Sequence, residues 1–353
     1  MTESADTAEI RTKWCPRCPL CGGYGKYIYC DQSDRMFGTS GDWNFKRCSN
    51  EQCRLIWLDP MPIEEDIGKA YARYYTHSVS EYRGRPRQIK GLAKSVIQII
   101  KQEYISEKYG YYLGKKSFSL PFFGKLLYLF PLWRTEADGR VRLLHAVPGG
   151  RLLDVGCGSG DWLLSMQELG WDVVGIDFDE DAVKAGRQNG STLLCGALEK
   201  HRFLNEYFDA ITLNHVIEHV PDPIGTLREC ARILKPGGKL VIFTPNGESL
   251  GRRIFGKYWR GLEPPRHLYI FALQSMRQVI GQAGFERSSV LPWVADSMIY
   301  ESYLLWRGWR GPFVGKRRRR LAQIFAWLFS MAELLLIKLK PSVADCVAVI
   351  AVK

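Results

Sequence analysis

The spacing of apolar residues changes character at about residue 150. From there on, short apolar runs bounded by turn residues predict strands over 151–155, 172–176, 191–194, 210–213 and 239–243. Helically spaced segments over 162–169, 181–188 and 223–234 fall between them. A further helix over 274–283 ends at Gly284, strand 287–291 follows, and 346–352 reads as a last buried strand. This alternation predicts an α/β fold built on a doubly wound sheet. Before residue 150 the pattern differs. Up to residue 62 only short β-like pieces occur, Tyr27-Ile28-Tyr29 and Leu55-Ile56-Trp57-Leu58, and a segment of that composition cannot bury a core unaided. Residues 63–144 turn helical, rich in Tyr, Lys and Arg, and are broken by Gly110, Gly114, Pro121 and Pro131, which reads as a linker and cap. The chain thus divides into 1–62, 63–144, a core over 145–298, a basic apolar insertion over 299–340 and a final strand within 341–353.

With 353 residues and 46% hydrophobic content, disorder is excluded. The first 14 residues mix acids and bases without an apolar run, unlike a secretory signal or transit peptide, so a cytoplasmic protein is expected. The net charge of +12 is local: residues 81–143 hold 13 Lys/Arg against 5 Asp/Glu, and residues 299–340 hold 9 against 2. These two surfaces account for more than the whole excess.

Six of the ten cysteines crowd the first 53 residues, which in a reducing compartment points to a metal. Cys18-Pro19-Leu20-Cys21 and Cys48-Ser49-Asn50-Glu51-Gln52-Cys53 are two knuckles with 26 residues between them, the pattern of a zinc ribbon in which four thiolates close a structural tetrahedral site. The second knuckle is two residues longer than usual, and Cys15 or Cys30 could replace one of these ligands.

The chemistry concentrates after the first core strand, in Leu152-Leu153-Asp154-Val155-Gly156-Cys157-Gly158-Ser159-Gly160. Glycines at alternate positions let the backbone approach a ligand. A dinucleotide fingerprint would need glycine where Asp161 stands, and a carboxylate there disfavours a pyrophosphate. Asp177 ends the next strand, where a carboxylate accepts hydrogen bonds from a ribose. The ligand expected is a nucleoside carrying a cationic group.

These residues, with Phe208-Asp209-Ala210-Ile211, Glu218-His219-Val220-Pro221-Asp222-Pro223 and Leu234-Lys235-Pro236-Gly237-Gly238, give the chain from about 151 to 285 a resemblance to the class I S-adenosylmethionine-dependent methyltransferases. The resemblance is to the small-molecule branch with ubiquinone-biosynthesis-like and sugar methyltransferases. It implies a seven-stranded Rossmann-like sheet, S-adenosylmethionine held by Asp154, Gly156, Gly158, Gly160 and Asp177 with Phe178, Leu198 and Asn214 around it, and methyl transfer to oxygen on a small or lipid-linked acceptor such as a sugar or quinol. Gly196-Ala197-Leu198-Glu199 replaces the family's Gly-Asp-Ala, leaving adenine without an assigned acid. Asn214 is followed by His215-Val216 rather than Pro-Pro-aromatic, which disfavours N-methylation of nucleobases.

A hydroxyl acceptor needs a base. His215 and His219 are four apart, and His267 lies in Glu263-Pro264-Pro265-Arg266-His267-Leu268, near the carboxyl edge of the sheet where ligands bind. Any of the three fits, and Glu218-His219 also fits a structural pair anchoring its loop. The competing function is a nucleic-acid-binding or RNA-modifying protein using the ribbon and the basic segments. Against it, those segments are interleaved with apolar stretches, which suits an anionic membrane surface better. Residues 321–339 have 15 apolar residues among 19, following Lys316-Arg317-Arg318-Arg319-Arg320. Because the insertion joins two strands of one sheet, a single crossing is excluded. An interfacial hairpin, peripheral on the cytoplasmic membrane face, is expected, the alternative being a helix that covers 118–133.

Overall fold

The computed structural model of the protein describes residues 9–72, 92–111, 123–309 and 315–353, so Gly114, Pro121 and residues 118–122 lie outside the described residues. The N-terminal part contains β1 (Thr12–Lys13), β2 (Gly25–Gln32), β3 (Trp43–Cys48), β4 (Ile56–Leu58), β5 (Met61–Pro62), α1 (Leu92–Tyr109) and α2 (Pro131–Arg140). The core runs β6 (Arg151–Val155), α3 (Asp161–Glu168), β7 (Asp172–Asp177), α4 (Glu180–Gln188), β8 (Leu193–Cys195), β9 (Phe208–Asn214), α5 (Pro223–Ile233), β10 (Leu234–Pro245), α6 (Leu250–Phe255), β11 (Tyr269–Ile270), α7 (Leu273–Gln282) and β12 (Arg287–Trp293). The insertion folds as α8 (Asp296–Trp306) and α9 (Lys316–Leu336), and β13 (Cys346–Val352) closes the chain.

Seven strands form one doubly wound α/β sheet in the order β12-β13-β10-β9-β6-β7-β8, parallel except that β13 runs against both β10 and β12. Local chemistry starts its helices where expected. Asp179 caps α4 by accepting from the Asp181 and Ala182 amides, and Asp222 caps α5 with Pro223 in the first turn. Strand β8 begins later than 191 because the Ser191 amide is tied back to the Gly186 carbonyl in the preceding turn.

The segment expected as a cap divides in two. Helices α1 and α2 cover one face of the sheet, where Tyr104, Tyr109, Leu127 and Val141 pack with Leu152, Met166, Trp171 and Val241. Asp138 anchors them by accepting from the Tyr104 and Tyr109 hydroxyls at 2.8 and 2.7 Å. Among the described residues of this segment, only 64–71 reaches the carboxyl edge of the sheet. The apolar content of α1 and α2 is what the otherwise bare sheet face requires, and this draws them away from the edge.

The cysteine-rich segment does not stand apart. Its strands form a second sheet, β11-β4-β3-β2, whose edge strand β11 comes from the core, with Tyr269 opposite Trp57 and Ile270 opposite Ile56. The joint is fixed by Arg266, which is fully buried. Its Nη1 donates to Asp34 Oδ2 at 2.9 Å, Thr39 Oγ1 at 3.1 Å and the Ala70 carbonyl at 3.1 Å, and its Nε donates to Glu263 Oε1 at 2.8 Å. Strands β12 and β13 pair antiparallel with Trp293 opposite Cys346, so the insertion leaves and returns on one side, as the sequence requires. Among the described residues no helix is long and apolar enough to cross a membrane.

Two buried charge arrangements yield tests. Although burial opposes it, Arg266 and the loop amides of Phe37 and Thr39 hold the Asp34 carboxyl down to about 2, so its contribution is present above the usual carboxylate range and is lost as pH falls through about 2. Asp34→Asn leaves a buried guanidinium short of its counter-charge and should cost about 3–5 kcal/mol in urea unfolding at neutral pH. Burial, reinforced by the nearby Asp345, pushes the Glu333 carboxyl on α9 up to about 9, and burial pushes that of Asp345 up to about 7 against the Trp259 hydrogen bond. Both retain protons that the unfolded chain releases at about pH 4, so their contribution is full at low pH and is lost as pH rises through about 7 to about 9. Glu333→Gln should therefore flatten the decline in melting temperature between about pH 5 and about pH 9 in calorimetric scans.

Candidate active site and cysteine cluster

A cavity of about 1270 Å³ opens at the carboxyl ends of β6, β7 and β9. That exceeds a typical single-ligand pocket and leaves room for two molecules side by side. Val155, Gly156 and Gly158 line it, with Asp177 and Phe178 at the end of β7, Leu198 beyond β8, and Asn214, His215 and His219 at and beyond the end of β9. The rest of the lining comes from Glu64, Ile67, Gly68 and Tyr71 of the N-terminal segment, from Arg260, Glu263 and His267, and from Ser297, Met298 and Glu301 of α8.

Gly156 has φ +72°, and a Cβ built there would lie 2.2 Å from Val216 Cγ2, so only glycine fits between the turn and the wall. Gly158 donates its amide to Asp177 Oδ2 at 2.7 Å, and Asp177 Oδ1 accepts from the Asp179 amide at 3.0 Å, which aims the carboxylate along the cavity wall. Phe178 is half exposed there.

Two of the expected residues stand behind the wall. Gly160 starts α3, and a Cβ on it would meet Ser191 Oγ at 2.9 Å, so it serves the packing of that turn. Asp154 is buried, paired with Arg142, and accepts from Thr212 Oγ1 at 2.7 Å, while its Oδ2 has no partner.

The three histidines converge. His215, at φ +56°, places Nδ1 3.2 Å from Glu218 Oε1. Glu218 is fully buried. Its Oε2 accepts from Thr244 Oγ1 at 3.0 Å, and its carbonyl accepts from the Leu268 and Tyr269 amides at 2.9 and 3.2 Å, which pins the strand after His267. Despite burial, the hydrogen bond and charge of His215 keep the Glu218 carboxyl below its ordinary value. His219 Nδ1 lies 3.0 Å from the Arg266 carbonyl and 2.9 Å from the Tyr71 hydroxyl. A carbonyl only accepts, so the hydrogen belongs on Nδ1, and Nε2 is left with its lone pair.

His267 packs edge-on against His219, with ring centres 4.6 Å apart, and donates from Nδ1 to the Gly261 carbonyl at 2.8 Å. Its Nε2 faces Glu263 Oε2 at 3.4 Å. Burial lowers the pKa of both imidazoles, His267 more strongly because His219 and Arg260 are beside it, so both are neutral at pH 7. Tyr71 could not be found from sequence. It is 148 positions from the histidine it touches, and the pairing of β4 with β11 together with the Arg266–Ala70 hydrogen bond carries it there.

Cys18, Cys21, Cys48 and Cys53 come together with all four sulfurs within 4.8 Å of one another, Cys18 to Cys53 at 3.6 Å and Cys21 to Cys48 at 3.4 Å. Thiolates about 2.3 Å from a tetrahedral zinc stand at nearly such spacings. The longer second knuckle is absorbed by a turn in which the Cys53 and Arg54 amides both donate to the Asn50 carbonyl. Cys15 instead faces the Arg17 carbonyl, and Cys30 is exposed.

A methyltransferase domain family matches residues 129–290. The chain is 37% identical over 132 residues to the ubiquinone biosynthesis O-methyltransferase of Xanthomonas oryzae, covering 31% of this chain and 55% of that protein. It is 32% identical over 144 residues to the demethylmenaquinone methyltransferase of Listeria welshimeri, covering 37% and 60%. The chain thus spans little more than half the length of these curated relatives. An S-adenosylmethionine-dependent methyltransferase structure from Thermotoga maritima is 21% identical, covering 66% of this chain and 96% of that one with a TM-score of 0.42. Residues 129–290 thus belong to a methyltransferase domain family, and they set the glycine turn and Asp177 at the carboxyl edge of the seven-stranded sheet.

Proposed function

We propose that the protein transfers a methyl group from S-adenosylmethionine to an oxygen of a small or lipid-linked acceptor, with His219 as general base. The observation that carries this reading is one cavity lined both by Gly156, Gly158 and Asp177 and by His215, His219 and His267. The residues fit the cofactor. The turn leaves open space at Gly158, where a Cβ would meet nothing within 4 Å, Asp177 can accept from ribose hydroxyls, and the unpartnered Asp154 Oδ2 is an acceptor behind the same turn. Phe178, Leu198 and Asn214 complete that side. Bound there, S-adenosylmethionine supplies an electrophilic methyl group on a sulfonium. His219 accepts the hydroxyl proton at Nε2 while the Arg266 carbonyl and Tyr71 hold Nδ1, and the N-terminal wall excludes water. His267 and His215 orient this base and Glu218. The ubiquinone and menaquinone relatives support a quinone-like acceptor, and a cytoplasmic enzyme would meet a lipid-linked one at a membrane face. Cys18, Cys21, Cys48 and Cys53 would hold a structural zinc ion.

Calorimetry tests the cofactor and base together. Asp177→Ala should weaken S-adenosylmethionine binding by about 1.5–3 kcal/mol, whereas His219→Ala should retain affinity and lose about 10²–10⁴ in turnover. Unchanged affinity in Asp177→Ala would overturn the cofactor assignment.

Metal analysis of protein purified without added zinc should give about one equivalent. Stripping it should expose the amides of β2, β3, β4 and, because β11 shares their sheet, those following His267 in hydrogen exchange. Intact metal-free protein with a Cys18–Cys21 disulfide would contradict this.

A further inference from the structure

Helix α9 is apolar on two faces. A surface helix of a soluble protein turns its apolar stripe to the core and a polar face to solvent. Here the inward side carries Ala322, Ala326, Ser330 and Glu333 together with Phe325 and Phe329, which pack against Tyr303 and Phe255, while Leu321, Ile324, Trp327, Leu328, Leu335 and Leu339 are each about half exposed or more. At 3.6 residues per turn the buried and the exposed sets lie about half a turn apart, so the exposed apolar face runs along the whole helix. The inward side already packs on α8, and nothing in that packing needs the large residues outside. Of residues 118–133, the alternative surface for α9 to cover, 118–122 lie outside the described residues, α2 from Pro131 touches α9, and Leu126, Tyr128, Leu129 and Phe130 between them stay exposed. A contiguous apolar surface of this kind marks an interaction face.

Charge identifies the occupant. Residues 316–340 expose Lys316, Arg317, Arg318, Arg319, Arg320, Lys338 and Lys340, and their single acid, Glu333, is buried. Five consecutive cations occupy the N-terminal turns of α9, where the helix dipole disfavours positive charge, so helix stability does not account for them. A second copy of the chain would bring the same cations against these. An anionic partner that offers apolar depth beside a layer of negative charge satisfies both halves of the face. We propose that the outward face of α9 docks on an anionic phospholipid bilayer, lying in its interface with 316–320 among the head groups. Helix α8, against which α9 packs, also supplies Ser297, Met298 and Glu301 to the cavity wall. Docking therefore sets that wall beside the lipid, a consequence that rests on the function proposed above, although docking itself does not.

Flotation of the full chain with phosphatidylcholine vesicles, with and without phosphatidylglycerol, tests the proposal separately from cofactor affinity. Wild type should float with the anionic vesicles and not with the neutral ones. Replacing residues 317–320 with Ser should raise the lipid concentration for half-binding by about 100-fold or more. Leu328→Glu, at an exposed position, should abolish flotation while leaving the melting temperature and S-adenosylmethionine affinity unchanged. Absence of binding, equal binding to neutral vesicles, or flotation unaffected by Leu328→Glu would overturn the proposal. So would a wild-type dimer that Leu328→Glu converts to monomer, because the face would then be covered by a second copy.

Discussion

The buried Arg266 guanidinium holds three parts of the molecule in one place. Asp34 belongs to the cysteine-rich segment, the Ala70 carbonyl to the stretch leading into Tyr71, and Glu263 to the loop that carries His267. A charge with no exposed surface is tolerated only when its donors are matched by acceptors in good geometry, so these segments cannot drift independently. The Arg266 carbonyl then meets His219 Nδ1. One residue thereby fixes both the wall of the cavity and the tautomer of the histidine proposed as base.

This explains why a small metal-type sheet adjoins a methyl-transfer domain. Strand β4 lends its edge to β11, and the Glu218 carbonyl accepts from the two amides that open β11. The conformation of the Glu218-His219 turn is therefore shared between the large sheet, through Thr244 and Phe243, and the small one, through Leu268 and Tyr269. Glu218-His219 anchors the fold and lines the cavity at once, because the backbone and carboxylate of Glu218 serve the packing while the imidazole next to it faces the cavity.

The sheet also shows how one fold assigns different work to carboxylates of similar sequence context. Asp154 and Asp177 both lie at strand ends, and burial raises the pKa of each. Arg142, delivered by the turn after α2, meets Asp154 and ties α2 to the centre of the sheet, whereas Asp177 receives only backbone amides and keeps its outer lone pairs toward the cavity.

The sequence by itself determined whatever depends on residues close in the chain. Strand and helix periods set the order of the core elements, Asp179 and Asp222 set two helix starts, and the glycine turn with Asp177 marked the edge of the sheet that lines the cavity, because each signal is read over a few neighbouring positions. The two cysteine knuckles were legible for the same reason, although only their folded spacing separated Cys18, Cys21, Cys48 and Cys53 from Cys15 and Cys30. Tertiary structure decided what depends on distant segments meeting. The pairing of β4 with β11 together with the Arg266–Ala70 hydrogen bond brought Tyr71 to His219, burial by the ribbon turned Arg266 inward, and the apolar demand of the sheet face drew α1 and α2 away from the cavity. Which apolar face α9 presents outward was likewise undetermined by its sequence, since periodicity shows that a helix has two faces and only packing against α8 chooses which one is buried.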